Sequence, residues 1–212
     1  MSRVLKPNAS LWIFGSFRSL SSLVVPEMKT HGWKYAQDVI WMKQNGTGFH
    51  ADRFRRVHEI VVQFYRGPWL AVHKRTQYTH DAKARTVHRK TRPQHTGQIN
   101  DGHYVSIDGG PRMMTSVLQV RNEHRRAIHP TQKPVELLLP LVRYSCPPGG
   151  VVVDCFSGSA SLGIAARMAG VAAVLIEKDA GMADASRRRL ASDARLLDIA
   201  VQSGSARTEH AP

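Results

Sequence analysis

The stretch from Val151 to Asp179 constrains the fold more than any other part of the chain. Val151 to Phe156 (VVVDCF) is apolar apart from Asp154, the pattern of a strand buried on both faces. A loop of small residues follows, Cys155-Phe-Ser-Gly-Ser-Ala160; Ser159 to Met168 then has helical spacing, and Gly170 stops it. Ala172 to Ile176 reads as a second strand closing on an acid, Glu177, nineteen positions after Gly158. This is the plan of a nucleoside-binding site. Loop backbone and helix N-terminus approach the ligand, and an acid about 20 residues on accepts hydrogen bonds from ribose hydroxyls. Many α/β domains have small residues in such a loop for packing alone, so the acid at this distance carries the specificity.

The string Gly158-Ser-Ala160-Ser-Leu-Gly163 resembles the G-x-G-x-x-G dinucleotide fingerprint, but Ala160 stands at the middle glycine. A pyrophosphate needs that position bare. The departure disfavours a nicotinamide-dependent oxidoreductase and favours a nucleoside without a pyrophosphate. S-adenosylmethionine is one, and its sulfonium and amino charges suit a pocket edged by Asp154.

Elsewhere, Leu11 to Gly15 (LWIFG) reads as a buried strand, and about Phe17 to Thr30 as a helix that Pro26 kinks or breaks. Asp38 to Met42 (DVIWM) and Glu59 to Tyr65 (EIVVQFY) read as two more strands. Val135 to Tyr144 is helix-like, with Pro140 kinking it or shifting its start. Pro147-Pro-Gly-Gly turns into the Val151 strand, Ala183 to Leu197 reads as a basic helix, and the tail after Ser203 as frayed. Strands alternating with helices and buried on both faces imply an α/β fold with a parallel sheet.

Thirty Lys and Arg against sixteen Asp and Glu give a formal charge of +14. The excess predicts an anionic partner, nucleic acid before membrane, because no basic amphipathic helix stands out. It concentrates between Trp69 and about Met114, where apolar runs vanish. There Lys74, Arg75, Lys83, Arg85, Arg89, Lys90, Arg92 and Arg112 face only Asp81, Asp101 and Asp108. The stretch is too polar to supply much core and reads as a basic, loop-rich insertion, with a plain disordered linker as the alternative. Cys146 and Cys155 have neither the number nor the spacing of a disulfide framework or zinc site. His73, His80, His88, His95 and His103 lack helical ligand spacing and cysteine partners, so no metal is expected. No apolar run reaches the roughly 18 residues of a membrane span, and no signal-peptide core opens the chain, so a soluble, cytoplasmic protein is expected.

Asp154-Cys-Phe-Ser-Gly-Ser-Ala-Ser resembles the Asp-Pro-Phe-x-Gly-Ser-Gly-Thr cofactor loop of DNA amino-methyltransferases. His129-Pro-Thr-Gln-Lys-Pro134 is similar to the segment preceding that loop in the permuted, beta-type members. Arg3-Val-Leu-Lys-Pro, Leu11-Trp-Ile-Phe-Gly, Asp38-Val-Ile-Trp-Met-Lys and Arg56-Val-His-Glu match the family's middle section in order, so the resemblance runs from about residue 3 to 190. It implies a Rossmann-like, S-adenosylmethionine-dependent sheet. It also implies cofactor roles for Asp154, Phe156, Ser157, Gly158, Ser159 and Glu177, with Thr131 and Lys133 beside the methionine carboxylate. Thr131 has the further option of capping the following helix. Cys155 and Ala160 depart from the pattern, and the Ala160 methyl is expected to crowd the cofactor. The basic insertion occupies the place of the target-recognition region, so Lys83, Arg85, Arg89, Lys90 and Arg92 are the expected contacts to double-stranded DNA.

Members of that family carry an Asp/Asn/Ser-Pro-Pro-Tyr/Phe/Trp loop that binds the target amino group and stacks on the flipped base. In the permuted order it precedes the Arg3 segment, and this sequence has no counterpart: the one Pro-Pro pair, in Cys146-Pro-Pro-Gly, lacks both acceptor and aromatic. No catalytic residue is therefore assigned. The sheet is expected to lack the strand bearing that loop, leaving two buried edges open, an aggregation liability. Three outcomes are open: a separate N-terminal fragment supplies the piece, the sheet closes up directly, or the chain is a remnant or has an upstream start, which is the favoured case. The expected organisation is methyltransferase strands over 1–68, the insertion over 69–114, a cofactor-binding half over 115–203 and a tail over 204–212. The expected activity is methyl transfer to an exocyclic amino group of DNA, adenine N6 ahead of cytosine N4, with this chain inactive alone. The competing reading is a catalytically silent DNA-binding remnant.

Overall fold

The structure, a computed structural model, describes residues 4–47, 51–88, 103–123 and 127–205. Among these residues the chain forms two compact units, Met1–Arg75 with Ser116–Pro212, and Thr76–Thr115.

The apolar run at Leu11 becomes β1 (Ser10–Gly15). Ser16 then accepts from the Ser19 N–H and opens α1 (Phe17–Ser19), which continues through a π turn (Leu20–Val24) into α2 (Val25–Thr30). The widened turn falls directly before Pro26, whose ring does not fit against the carbonyl four residues back in a regular helix. β2 (Lys34–Thr47) and β3 (Arg56–Tyr65) follow, longer than the apolar cores that signal them. The sheet runs β1-β3-β2-β8, with β8 at Val117–Gln119.

The expected parallel sheet is corrected here. β3 is antiparallel to both β1 and β2, while β8 is parallel to β2. The connection from Thr47 to Arg56 is shorter than the dozen or more residues a parallel crossover needs, so the pair must be a hairpin. One face of β3 buries Val62 and Phe64 against Leu20 and Trp33. The other carries Val61 and Gln63, and Gln63 is 0% exposed yet satisfied. It accepts from Gln37 Nε2 at 2.9 Å and donates to Ser10 Oγ at 3.0 Å, a polar rung across three strands.

The second part of this unit is α3 (Val135–Ser145), β9 (Val151–Asp154), α4 (Ser161–Ala169), β10 (Ala172–Leu175) and α5 (Ala180–Ser205). β9 and β10 are parallel, joined through α4. α3 runs through Pro140, and α5 is longer at both ends than the basic helix the sequence predicts, extending past the expected boundary at Ser203.

Among the described residues β9 pairs with β10 alone and β1 with β3 alone. The two sheets meet through α3: Leu138, Val142 and Cys146 pack against Ala165, while Phe14 of β1 and Val152 of β9 both lean on that cluster. Trp12 Nε1 also donates to Ser145 Oγ at 3.0 Å. No residue of β9 or β10 is buried, although their sequences read as strands covered on both faces.

In the second unit β4 (Tyr78–Thr79) pairs with β7 (Arg112–Met113), and β5 (Arg85–His88) with β6 (His103–Ser106), both antiparallel. Asp81 receives two hydrogen bonds from the Arg112 guanidinium, at 3.0 and 2.6 Å, and these hold its carboxyl down at about 2. The ladders correct the linker alternative for these residues. Trp69 to Arg75 belong to the larger unit, where Trp69 meets the Tyr65 ring edge-on and Arg75 N–H donates to Tyr144 O.

Leu138 belongs to the cluster that joins the sheets, so Leu138→Ala is expected to destabilise the chain by roughly 2–5 kcal/mol, read as a lower urea midpoint. A loss below about 1 kcal/mol would contradict the joint assigned to α3.

Candidate functional site

β9 ends at Asp154, whose Oδ1 accepts the Phe156 N–H at 3.0 Å and turns the chain out of the strand. Two further bonds extend the β9–β10 ladder into the loops: Ile176 N–H to Asp154 O at 2.8 Å and Ser157 N–H to Ile176 O at 3.0 Å. The two acid-bearing strand ends are thereby held side by side. Glu177 closes the arrangement, accepting Gly158 N–H on Oε2 at 2.8 Å and Asp179 N–H on Oε1 at 3.0 Å.

The loop is tied from behind by α5. Ser186 Oγ donates to Gly158 O at 2.5 Å, and Arg189 donates to Ser159 O at 2.8 Å and Ser161 Oγ at 3.0 Å. Ser157 and Ser159 are buried, so both residues are committed to holding the loop rather than to its outer surface. Phe156 projects outward, 90% exposed.

Gly158 and Ala160 both take left-handed backbone, φ 49° and 59°. A glycine adopts it freely, whereas an alanine pays about 1–2 kcal/mol. Ala160 is 1% exposed, so its methyl is enclosed by protein. This corrects the expected crowding: the departure from glycine acts through the backbone.

The hexapeptide packs on the loop through a residue the sequence reading did not assign. His129 lies where a Cβ on Gly158 would meet its ring at 3.6 Å, and its Nδ1 accepts the Thr131 N–H at 3.2 Å, with Thr131 Oγ1 at 3.1 Å. The signal was its place at the head of the hexapeptide, but its role comes from a contact distant in sequence. The capping option for Thr131 is corrected, since the N-cap of α3 is Pro134 and makes no side-chain cap. Lys133 Nζ donates to Thr131 O at 3.3 Å and pairs with Glu59 Oε2 at 3.2 Å.

The two acids are tuned apart. Burial, reinforced by the Glu177 charge, pushes Asp154 up despite the bond from Phe156 N–H. The N–H groups of Asp179 and Gly158, with His129 nearby, hold Glu177 below the usual carboxylate range. Asp154, Phe156, Gly158, Glu177, His129 and Thr131 thus come together around one loop: two carboxylates and an exposed aromatic face, suited to a polar ligand bearing positive charge. Lys83 and Arg85 are exposed in the second unit. Arg89, Lys90 and Arg92 lie outside the described residues.

Two outcomes follow from this geometry. Ala160→Val forces a β-branched side chain into a buried left-handed position and should destabilise by about 3 kcal/mol, whereas Ala160→Gly should stay within about 1 kcal/mol as relieved strain offsets the lost methyl; urea titration reads both. Burial pushes Glu59 up, but the hydrogen bonds and charges of Lys43 and Lys133 outweigh it and leave its carboxyl below the ordinary value for a glutamate. Its contribution is therefore complete above that value and lost as pH falls through the lowered folded one. The gap in urea midpoint between wild type and Glu59→Gln should be full at neutral pH and close in acid; a gap independent of pH would contradict the pairing.

A family model described as DNA methylase matches residues 1–188. The chain is 26% identical over 208 residues to the type II methyltransferase M.HinfI of Haemophilus influenzae, covering 94% of this chain but 53% of the relative, so it spans about half that protein's length. Among solved structures it resembles the M1.HpyAVI–SAM complex, with TM-score 0.59 and 20% identity over 89% of this chain and 77% of that one. The PvuII cytosine-N4-specific DNA methyltransferase superposes with TM-score 0.61 and 16% identity over 86% of this chain and 64% of that one. With Gly158 bonded to Glu177 across the two strand ends and a family match across most of its length, the chain belongs to the DNA methylase family.

Proposed function

We propose that this chain is the cofactor-binding and target-recognition portion of an S-adenosylmethionine-dependent DNA amino-methyltransferase, with beta-type motif order. The observation that carries the reading is the 2.8 Å bond from Gly158 N–H to Glu177, which sets the loop and the acid around one site. The donor set fits the cofactor. Asp154 opposes its sulfonium and amino charges, and Glu177, with one N–H on each oxygen, keeps lone pairs for ribose hydroxyls. Phe156 offers an exposed ring face, and Ser157, Gly158 and Ser159 form the tied-down loop against which the ligand would sit. Thr131 and Lys133, joined by the bond from Lys133 Nζ to Thr131 O, are the proposed contacts to the methionine carboxylate. When bound, S-adenosylmethionine supplies an electrophilic methyl group.

Lys83 and Arg85, with Arg89, Lys90 and Arg92, are the proposed contacts to double-stranded DNA, acting on phosphates and base edges. Adenine N6 is the first acceptor to test. Cytosine N4, the specificity named for one structural neighbour, is the second. The residues that would hold the target amino group are assigned to a separate or additional polypeptide segment carrying an aromatic Pro-Pro loop, and the edges that β1 and β9 leave unpaired among the described residues support this assignment.

Calorimetry and a methyl-transfer assay test the proposal. Binding of S-adenosylmethionine is expected, reduced at least about tenfold by Glu177→Ala, with no methyl incorporation into DNA by the chain alone. DNA affinity should fall steeply between 50 and 200 mM salt, on the order of tenfold for every two phosphate contacts. Methyl incorporation by the chain alone would overturn the assignment of catalysis to another segment. Tight DNA binding without cofactor binding would establish the silent DNA-binding protein instead.

A further inference from the structure

Beyond the loop, the hexapeptide ends in a charge cluster. Glu59 of β3 takes Lys43 of β2 on Oε1 at 2.5 Å and Lys133 on Oε2 at 3.2 Å. Lys43 lies over the Trp41 ring at 4.4 Å, and Lys133 lies 5.4 Å from the Phe14 ring and 5.7 Å from that of Trp41. The side chains of Lys43, Glu59 and Lys133 are 9%, 29% and 23% exposed. Two ammonium groups thus share one half-buried carboxylate, and one positive charge is left over. It falls on Lys133, which has the longer bond and the greater exposure. Lys133 is also the lysine joined to the loop, through Thr131, His129 and Gly158.

We infer that Lys43 is a charge-balancing, positioning residue: by holding Glu59 it leaves the Lys133 ammonium available to the carboxylate of the cofactor's methionyl group. The inference rests on the cofactor proposed above and gives a role to Lys43 and Glu59, which that proposal does not use. With the ligand bound, four charges alternate from Lys43 through Glu59 and Lys133 to the carboxylate, and the row is neutral. Without Lys43, Glu59 keeps Lys133 to itself, and an incoming carboxylate meets a pair already neutralised. The plainer alternative is a cross-strand ion pair that steadies β2 on β3 and has no bearing on the ligand.

Calorimetry on the full chain with S-adenosylmethionine and its decarboxylated analogue, which differ by that carboxylate alone, separates the two. The wild type should prefer S-adenosylmethionine. Lys43→Met should reduce the preference about tenfold while leaving the Kd of the analogue within about twofold. Lys133→Met should remove the preference, and the double variant Lys43→Met, Glu59→Gln should regain it, because the neutral amide no longer sequesters Lys133. Equal losses for both ligands in Lys43→Met, an unchanged preference, or a double variant weaker than the single would overturn the inference and leave the cofactor reading standing. A wild-type chain that binds neither ligand would overturn both.

Discussion

The apolar seam along α3 is the constraint on which the rest of the larger unit depends. Leu138 and Val142 are buried against α4, while Phe14 from one sheet and Val152 from the other share the same cluster. No strand-to-strand hydrogen bond joins the two sheets among the described residues. Their relation is therefore set by side-chain packing, which is non-directional and tolerant, rather than by a ladder, which fixes spacing. The hexapeptide leads into α3 and the Val151 strand leads out of it. The packing of this one helix thus decides how the Lys133 side of the site meets the Asp154 side.

Within the site, the division of labour follows burial. Backbone groups and the small side chains of Ser157 and Ser159 are committed to holding the loop, and α5 ties them down through Ser186 and Arg189. The outward-facing chemistry is left to Asp154, Phe156 and Glu177. Asp154 is pushed up by burial and Glu177 held down by N–H donors, so one loop presents two carboxylates of unlike character. Such a contrast lets neighbouring acids serve different parts of one ligand.

Much of this was legible in the sequence because it was local. The apolar runs gave β1, β3 and β9 to within a few residues, and the distance from Gly158 to Glu177 anticipated a contact the structure makes. Three kinds of feature were not legible. β8 has three residues, too short to leave a period. Strand direction depended on the length of the connection between Thr47 and Arg56, which apolar content does not report. The pairing of Lys133 with Glu59 and the packing of His129 on Gly158 join residues far apart in sequence, so no spacing rule announces them. At Ala160 the departure from glycine is legible, but its left-handed φ angle is not, because composition does not reveal backbone conformation.

The buried rung from Gln37 through Gln63 to Ser10 has a consequence for the charge cluster. Gln63 and Glu59 lie four residues apart on β3 and so on the same face of the sheet. If β3 shifted by one residue, Gln63 would lose both partners inside the protein, and Glu59 would swing to the side away from Lys43 and Lys133. The amide rung therefore acts as a register key. A neutral contact, centred on a fully buried amide, guarantees which way a distant carboxylate faces before any ligand arrives.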